Sequence, residues 1–273
     1  MFTTEKITFI GGGVMGEAMI AALLRQHQID PQHITACDPI KERGEFLIKE
    51  FGVRYSADNV EGVQETDIIV LSVKPQFLDD VLAGLNGKIR AGVLIISIVA
   101  GAPIEKIMRG FEIETVVRVM PNTPARIGQG MSVWTATDAV SDIQRNQTRA
   151  ILQSLGKEIF VEKEYFLDMA TALSGSGPAY IFLFIEALID AGVQMGFSHH
   201  VAKEMVLQTV SGSVELARQY PHHPAELKNM VTSPGGTTAD ALYQLEKGGF
   251  RAIISKAVFA AYQKSIALGG NDQ

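Results

Sequence analysis

The run Ile7-Thr8-Phe9-Ile10, followed without a break by Gly11-Gly12-Gly13-Val14-Met15-Gly16, limits what this chain can fold into more than any other stretch. The first four residues read as a short buried strand. The glycines fit the spacing G-x-G-x-x-G, with Gly11, Gly13 and Gly16 in the three roles. Gly11 makes the tight turn, Gly13 lets the backbone approach a pyrophosphate, and Gly16 lets the next helix pack closely on its strand. Met15, Met19, Ala22 and Leu23 then recur at helical spacing. A second strand, Ile34-Thr35-Ala36-Cys37, ends in Asp38, 22 residues past Gly16, near the distance expected of a ribose-binding acid. The glycine pattern alone is a weak signal. With strand, helix and acid in place, it predicts a dinucleotide on residues 11–16 rather than a bare turn.

Strand and helix alternate through about residue 160. Residues 41–51 read as a helix ended by Gly52, and Val53-Arg54-Tyr55 as a short strand. The runs 67–73, 93–99 and 115–120 are nearly continuous apolar stretches of the kind buried on both faces of a parallel sheet. Each leads into a loop of small or turn-forming residues: Lys74-Pro75, Ala100-Gly101 and Pro121-Asn122-Thr123-Pro124. Ligands of open parallel sheets sit beyond the carboxyl ends of the strands, so these loops should face the cofactor. Strands near 131–135 and 159–161 bracket a helix over about 138–155.

From Lys163 onward strand patterns vanish. Ser174-Gly175-Ser176-Gly177 reads as a turn, and Pro178 suits the first turn of a long helix. Residues 179–195 of that helix are apolar nearly all round, apart from Glu186, Asp190 and Gln194, so most of its surface must be covered. Further helices are expected over 198–219, 225–230, 238–246 and 250–267. The segment Val231-Thr232-Ser233-Pro234-Gly235-Gly236-Thr237-Thr238 carries the most chemistry. Two glycines after a proline free the backbone, and Thr237-x-x-Asp240 resembles a capping box that starts a helix at Thr237 or Thr238. Such a loop aims unpaired N–H groups and a hydroxyl at one point, which suits a small carboxylate. The alternative is a turn that merely starts a helix. If the hydroxyl of Thr237 caps the helix, that of Thr238 is left free for a ligand.

Composition narrows the function classes. A formal charge of −6 without a Lys/Arg run argues against a nucleic-acid partner. The single cysteine, Cys37, excludes an internal disulfide and fits a reducing cytoplasm. Only four consecutive apolar residues precede Gly11, too few for a signal peptide, and Glu186 interrupts the longest candidate membrane span. No two histidines stand four residues apart with a carboxylate beside them, as a zinc helix requires, so no metal is expected. Ser174 and Ser176 lack the Gly-x-Ser-x-Gly elbow of a serine hydrolase.

Taken together, residues 9–16, Ser72-Val73-Lys74-Pro75, residues 120–124, residues 173–180 and residues 227–242 resemble the pyrroline-5-carboxylate reductase family from end to end. The 227–242 segment is the specific part of that resemblance. It implies an α/β chain with an N-terminal Rossmann-type dinucleotide-binding domain, residues 1–163, followed by an all-helical dimerisation and substrate domain, residues 164–273. It also implies reduction of Δ1-pyrroline-5-carboxylate to L-proline by NADPH or NADH, the last step of proline synthesis. The partners implied are a small-molecule substrate and a second copy of the chain, a homodimer that in some members builds larger rings of dimers.

Carried over by residue, the resemblance puts the pyrophosphate on Gly11, Gly12, Gly13, Val14, Met15 and Gly16, with Asn59 on the adenosine side. Ser72, Val73, Lys74, Pro75, Ala100 and Gly101 flank the ribose and nicotinamide, and Asn122 and Thr123 lie close to the nicotinamide. The substrate is placed by Ser176, Gly177, Val231, Gly235, Gly236, Thr237 and Thr238, with Thr238 bonding the ring nitrogen. Members of the family that favour NADPH usually carry Ser, Thr or Arg-rich residues where this chain has Asp38-Pro39. An acid there accepts from the ribose hydroxyls and repels a 2′-phosphate, although Lys41 and Arg43 are close enough to offset it. NADH is therefore expected to serve. The alternative role for Asp38 is to cap the helix that starts near Ile40.

The chemistry agrees with an imine substrate. A protonated imine is already electrophilic, so the missing His or Lys acid is no obstacle. A β-hydroxyacid dehydrogenase-like reductase is the first rival reading, but it needs a lysine on the long helix, and residues 179–195 contain none. A non-catalytic dinucleotide sensor is the second, and it has no use for the 231–242 loop.

Overall fold

Near-continuous apolar strands need helices on both faces, and the computed structural model, which describes residues 2, 4–220 and 222–270, supplies them. In chain order, the first elements are β1 (Ile7–Ile10), α1 (Val14–Arg25), β2 (Ile34–Cys37), α2 (Lys41–Phe51), β3 (Arg54–Ser56) and α3 (Asn59–Val63). They continue with β4 (Ile68–Leu71), α4 (Leu78–Leu85), β5 (Leu94–Ser97), α5 (Ile104–Phe111) and β6 (Val116–Met120). Then come β7 (Gly130–Ala136), α6 (Asp142–Leu155) and β8 (Gly156–Phe160). All eight strands form one sheet, ordered β3-β2-β1-β4-β5-β6-β7-β8. Pairing is parallel from β3 to β6, β7 runs antiparallel to β6, and β8 lies parallel to β7. Every residue of β1, β4 and β5 is buried, which is why those runs carry no polar alternation. Strand order reverses at β1, between β2 and β4, the position at which open α/β sheets bind ligands.

The remaining helices are α7 (Phe166–Ala170), α8 (Gly177–Gln194), α9 (His199–Gln219), α10 (Pro224–Met230), α11 (Thr237–Lys247) and α12 (Phe250–Leu268). Between α7 and α8 lies one wide π-helical turn, Thr171–Gly175. The expected plain turn at 174–177 is therefore corrected to a π-helical turn that ends at Ser176, whereas the long helix starts at Gly177 with Pro178 in its first turn, as expected. By length and composition the helical run Phe166–Gln194 could also cross a membrane, despite Glu186, and 6% of its most apolar window is buried.

The chain divides into two compact units, Met1–Ser176 together with Ala261–Gln273, and Gly177–Ala260. The first has a dense core on both faces of the sheet, including Phe9, Met19, Leu23, Ile69 and Trp134. In the second, the buried residues of α8 and α9 are Ile189, Gly192 and Ala202. There Gly192 meets Ala202 so closely that a Cβ would come within 2.9 Å of the Ala202 methyl. Meanwhile Phe182 (61%), Leu183 (67%) and Ile253 (61%) are exposed.

Candidate active site

In the first unit, the loop after β1 has the form its glycines predict. Gly11 has φ +101, and a Cβ there would lie 2.8 Å from the Ser72 carbonyl oxygen, so only glycine fits. At Gly16 a Cβ would lie 2.5 Å from the Gly11 carbonyl oxygen, which is what lets α1 start against β1. Gly13 faces open space, and as the N-cap of α1 it makes no side-chain capping bond. The first N–H groups of α1, on the exposed Val14 and half-buried Met15, have no partner inside the helix. Open room at Gly13 beside unpaired N–H groups at the positive end of a helix fits a pyrophosphate.

Gly12 is the residue whose role the spacing did not predict. Its N–H donates to Asp38 Oδ2 at 2.9 Å, and its carbonyl accepts from Arg43 Nε. Arg43 in turn pairs with Glu17 and stacks over the Phe46 ring. Asp38 is buried, and its Oδ1 accepts from Ile40 N at 3.0 Å, two residues on. It thus closes the turn before α2, whose N-cap is Ile40, and ties that turn to the glycine loop. Both carboxylate oxygens already hold a protein N–H before any ribose arrives. Only the placement of Arg43 in three dimensions reveals this clamp.

The other strand ends carry the remaining expected residues. Ser72, after β4, donates to the carbonyl oxygens of Gly11 (2.7 Å) and Ile10 (3.2 Å), so it braces the glycine loop. Val73 packs against Gly11, while Lys74 and Pro75 are exposed at a 3-10 turn. Asn59 begins α3, half-buried. Ala100 is half-buried, but Gly101 is buried at φ +71, where a Cβ would come within 2.8 Å of Leu268 Cβ. Thr123 is exposed. The Asn122 side chain is held at both ends: Nδ2 donates to the Ser174 carbonyl at 3.1 Å, and Oδ1 accepts from Met131 N at 2.9 Å. Ser176 closes the wide turn through its N–H to the Thr171 carbonyl, at 2.8 Å.

In the second unit, Val231, Gly235, Gly236, Thr237 and Thr238 lie on one loop and the start of α11, and Gly177 begins α8. Gly235 has φ +69, and a Cβ on Gly236 would come within 2.5 Å of Ser233 Oγ, so each glycine is required for its own reason. The helix starts at Thr237, as expected, but the expected capping box is absent. Gly236 is the N-cap with no side-chain bond, and its carbonyl accepts from Ala239 N (3.0 Å) and Asp240 N (3.4 Å). Because the glycine takes the cap position, Thr237 falls one place inside the helix, where its hydroxyl cannot reach an N3 amide. The N–H groups of Thr237 and Thr238 stay without helical partners, which suits an anion. Thr237 is exposed and Thr238 half-buried.

Among the described residues no cluster of three His, Cys, Asp or Glu side chains could hold a metal ion. Burial pushes the Cys37 thiol up to about 12, helped by Asp58, Glu61 and Asp38, so it offers no nucleophile.

Comparison with known proteins bears on the whole chain. Residues 164–268 match the family model for pyrroline-5-carboxylate reductase dimerisation, and residues 6–101 match that for coenzyme F420-dependent NADP oxidoreductases. The chain is 43% identical to a pyrroline-5-carboxylate reductase of Synechocystis, over 97% of its own length and 98% of that protein's. It is 38% identical to one from Pseudomonas aeruginosa, covering 97% of each. A crystal structure of a Plasmodium falciparum pyrroline carboxylate reductase with NADP bound superposes with a TM-score of 0.91 at 37% identity, over 98% of this chain and 100% of that one. The expected architecture, a Rossmann-type sheet followed by a helical dimerisation region, therefore holds. With both regions matched and this identity sustained along nearly its full length, the chain belongs to the pyrroline-5-carboxylate reductase family.

Proposed function

We propose that this chain reduces the C=N bond of Δ1-pyrroline-5-carboxylate to L-proline, the closing step of proline biosynthesis, with NADPH or NADH. The observation that carries the reading is the end-to-end likeness to enzymes of that name, which spans the glycine loop and the 231–242 loop alike. The nicotinamide, when bound, supplies the hydride. Residues 11–16 hold the pyrophosphate, with Asp38 and Asn59 toward the adenosine. Residues 72–75, Ala100, Gly101, Asn122 and Thr123 line the side nearer the ring that reacts.

On the substrate side, the N–H groups of residues 235–238 anchor the carboxylate, with Ser176, Gly177 and Val231 around the ring. A protonated imine needs no strong side-chain acid, and its N–H donates to the hydroxyl oxygen of Thr238. The chain's main contribution is then geometric, since positioning supplies at most roughly 7–11 kcal/mol of a barrier of this kind. Preorganised N–H groups add the anion anchor without reorganisation.

Residues 1–163 form the cofactor domain and residues 164–273 the dimerisation and substrate domain in this reading. The enzyme works as a homodimer, from which rings of dimers can be built, in the cytoplasm. A sparse core in Gly177–Ala260 beside exposed phenylalanine and leucine supports the dimer, because small lobes with little buried surface are not stable alone. The test is oxidation of NADH and of NADPH with pyrroline-5-carboxylate, beside a panel of keto acids. Turnover of the imine alone supports the assignment, and turnover of a keto acid alone overturns it.

A further inference from the structure

Pro178 creates a local problem for the Ser174 carbonyl that Asn122 solves. In an α-helix the carbonyl of residue 174 accepts from the N–H of residue 178, and proline has none. The Ser174 carbonyl is half-buried, so a missing partner is costly. Asn122, just past β6, supplies it through Nδ2 at 3.1 Å. Its Oδ1 is fixed by Met131 N at 2.9 Å, so the amide is held from both sides and points one way. Met120, two residues earlier at the end of β6, packs where a Cβ on Gly175 would lie 2.5 Å from its Cε. One side chain at the end of β6 and one just past it thus hold the wide turn Thr171–Gly175, which ends in Ser176. The hydroxyls of Ser174 and Thr171 are spent on carbonyls of α7, those of Ala170 at 3.0 Å and Leu167 at 2.7 Å.

We propose that Asn122 is a positioning residue for the substrate side of the site: its amide replaces the hydrogen bond that Pro178 denies to the Ser174 carbonyl, and so sets the π-helical turn that carries Ser176. This rests on the reading that Ser176 lies at the substrate. In the same reading Asn122 lies on the nicotinamide side, but its amide is spent on the Ser174 carbonyl and Met131 N, so it acts through the turn. π-helical turns inside α-helices are frequent at functional sites, and here the residue that holds one open is identified.

The test is a double-mutant cycle in the full-length enzyme with Asn122→Ala, Pro178→Ala and the pair, following kcat, both KM values and the urea midpoint. Misplacement of about 1 Å can cost on the order of a hundredfold. Asn122→Ala should therefore lower kcat/KM for the imine tenfold to a hundredfold, with NAD(P)H affinity held within about twofold. Pro178→Ala supplies an N–H to the Ser174 carbonyl, so adding it should recover most of that loss. Asn122→Asp, which keeps the Oδ1 acceptor for Met131 N but has no N–H for the Ser174 carbonyl, should show the same split if the alanine variant folds poorly. Weakened cofactor binding with an unchanged imine KM, or a defect that Pro178→Ala leaves undiminished, overturns the proposal. A wild-type enzyme without imine turnover refutes the assigned reaction instead. The cycle is then read in the urea midpoints, where non-additivity supports the tie between Asn122 and Ser174, and additivity overturns it.

Discussion

At the scale of single residues, Thr238 carries the chemical claim. It sits half-buried at the second position of α11, after two glycines that fix the loop, and Thr237 beside it is exposed. Thr238→Ala removes one hydrogen bond to a charged partner, worth roughly 1.5–3 kcal/mol. Steady-state kinetics should show kcat/KM for the imine falling about tenfold to a hundredfold with NAD(P)H affinity nearly intact. Wild-type values would make the hydroxyl structural. Asp38 carries the cofactor claim. Its carboxylate holds Gly12 N and Ile40 N at once, a grip that a serine hydroxyl on a shorter side chain cannot reproduce. Asp38→Ser should raise the KM for NADH about tenfold, by loss of a charge-assisted bond, and move the NADPH/NADH ratio of kcat/KM upward. A ratio that does not move would show that Asp38 serves only the turn.

Elements were legible in proportion to how local their causes are. β1, β4 and β5 stood out because complete burial leaves no alternation. The glycine loop stood out because its spacing between a strand and a helix is a local pattern, although Gly11 answers to Ser72 and Gly12 to Asp38 far along the chain. The wide turn before α8 did not stand out. A π-helical turn has no apolar period of its own, Pro178 marks only the start of α8 that follows it, and the stabilising amide comes from Asn122, 52 residues before Ser174. The capping box failed for a similar reason: Gly236 occupies the cap, and nothing in the spacing Thr-x-x-Asp reveals that. Another long-range feature anchors the same region. Arg118 on β6 is buried and pairs with Glu164 at 2.7 Å and Asp168 at 3.4 Å, while Ser265 of α12 donates to Asp168 at 2.9 Å. Removing Arg118 leaves two neighbouring, partly exposed carboxylates uncompensated, which costs at most roughly 3–5 kcal/mol. Arg118→Ala should accordingly lower the urea midpoint sharply. A shift below about 1 kcal/mol would mean that water reaches the carboxylates.

For the whole molecule, the imbalance between the two units is the main fact. One carries a complete core, and the other leaves its apolar helices exposed. Burying those surfaces against a second copy predicts a dimer by light scattering at low micromolar concentration, with a Tm that rises with protein concentration. An active monomer with a concentration-independent Tm would contradict this. The central claim, reduction of the cyclic imine, is tested most directly by following the reducing atom. NADH or NADPH carrying deuterium at C4 of the nicotinamide is supplied with pyrroline-5-carboxylate, and the proline formed is examined by mass spectrometry and NMR. The account predicts proline one mass unit heavier, with the deuterium on the ring carbon beside nitrogen that does not bear the carboxylate. Cofactor oxidation that yields no labelled proline would contradict it.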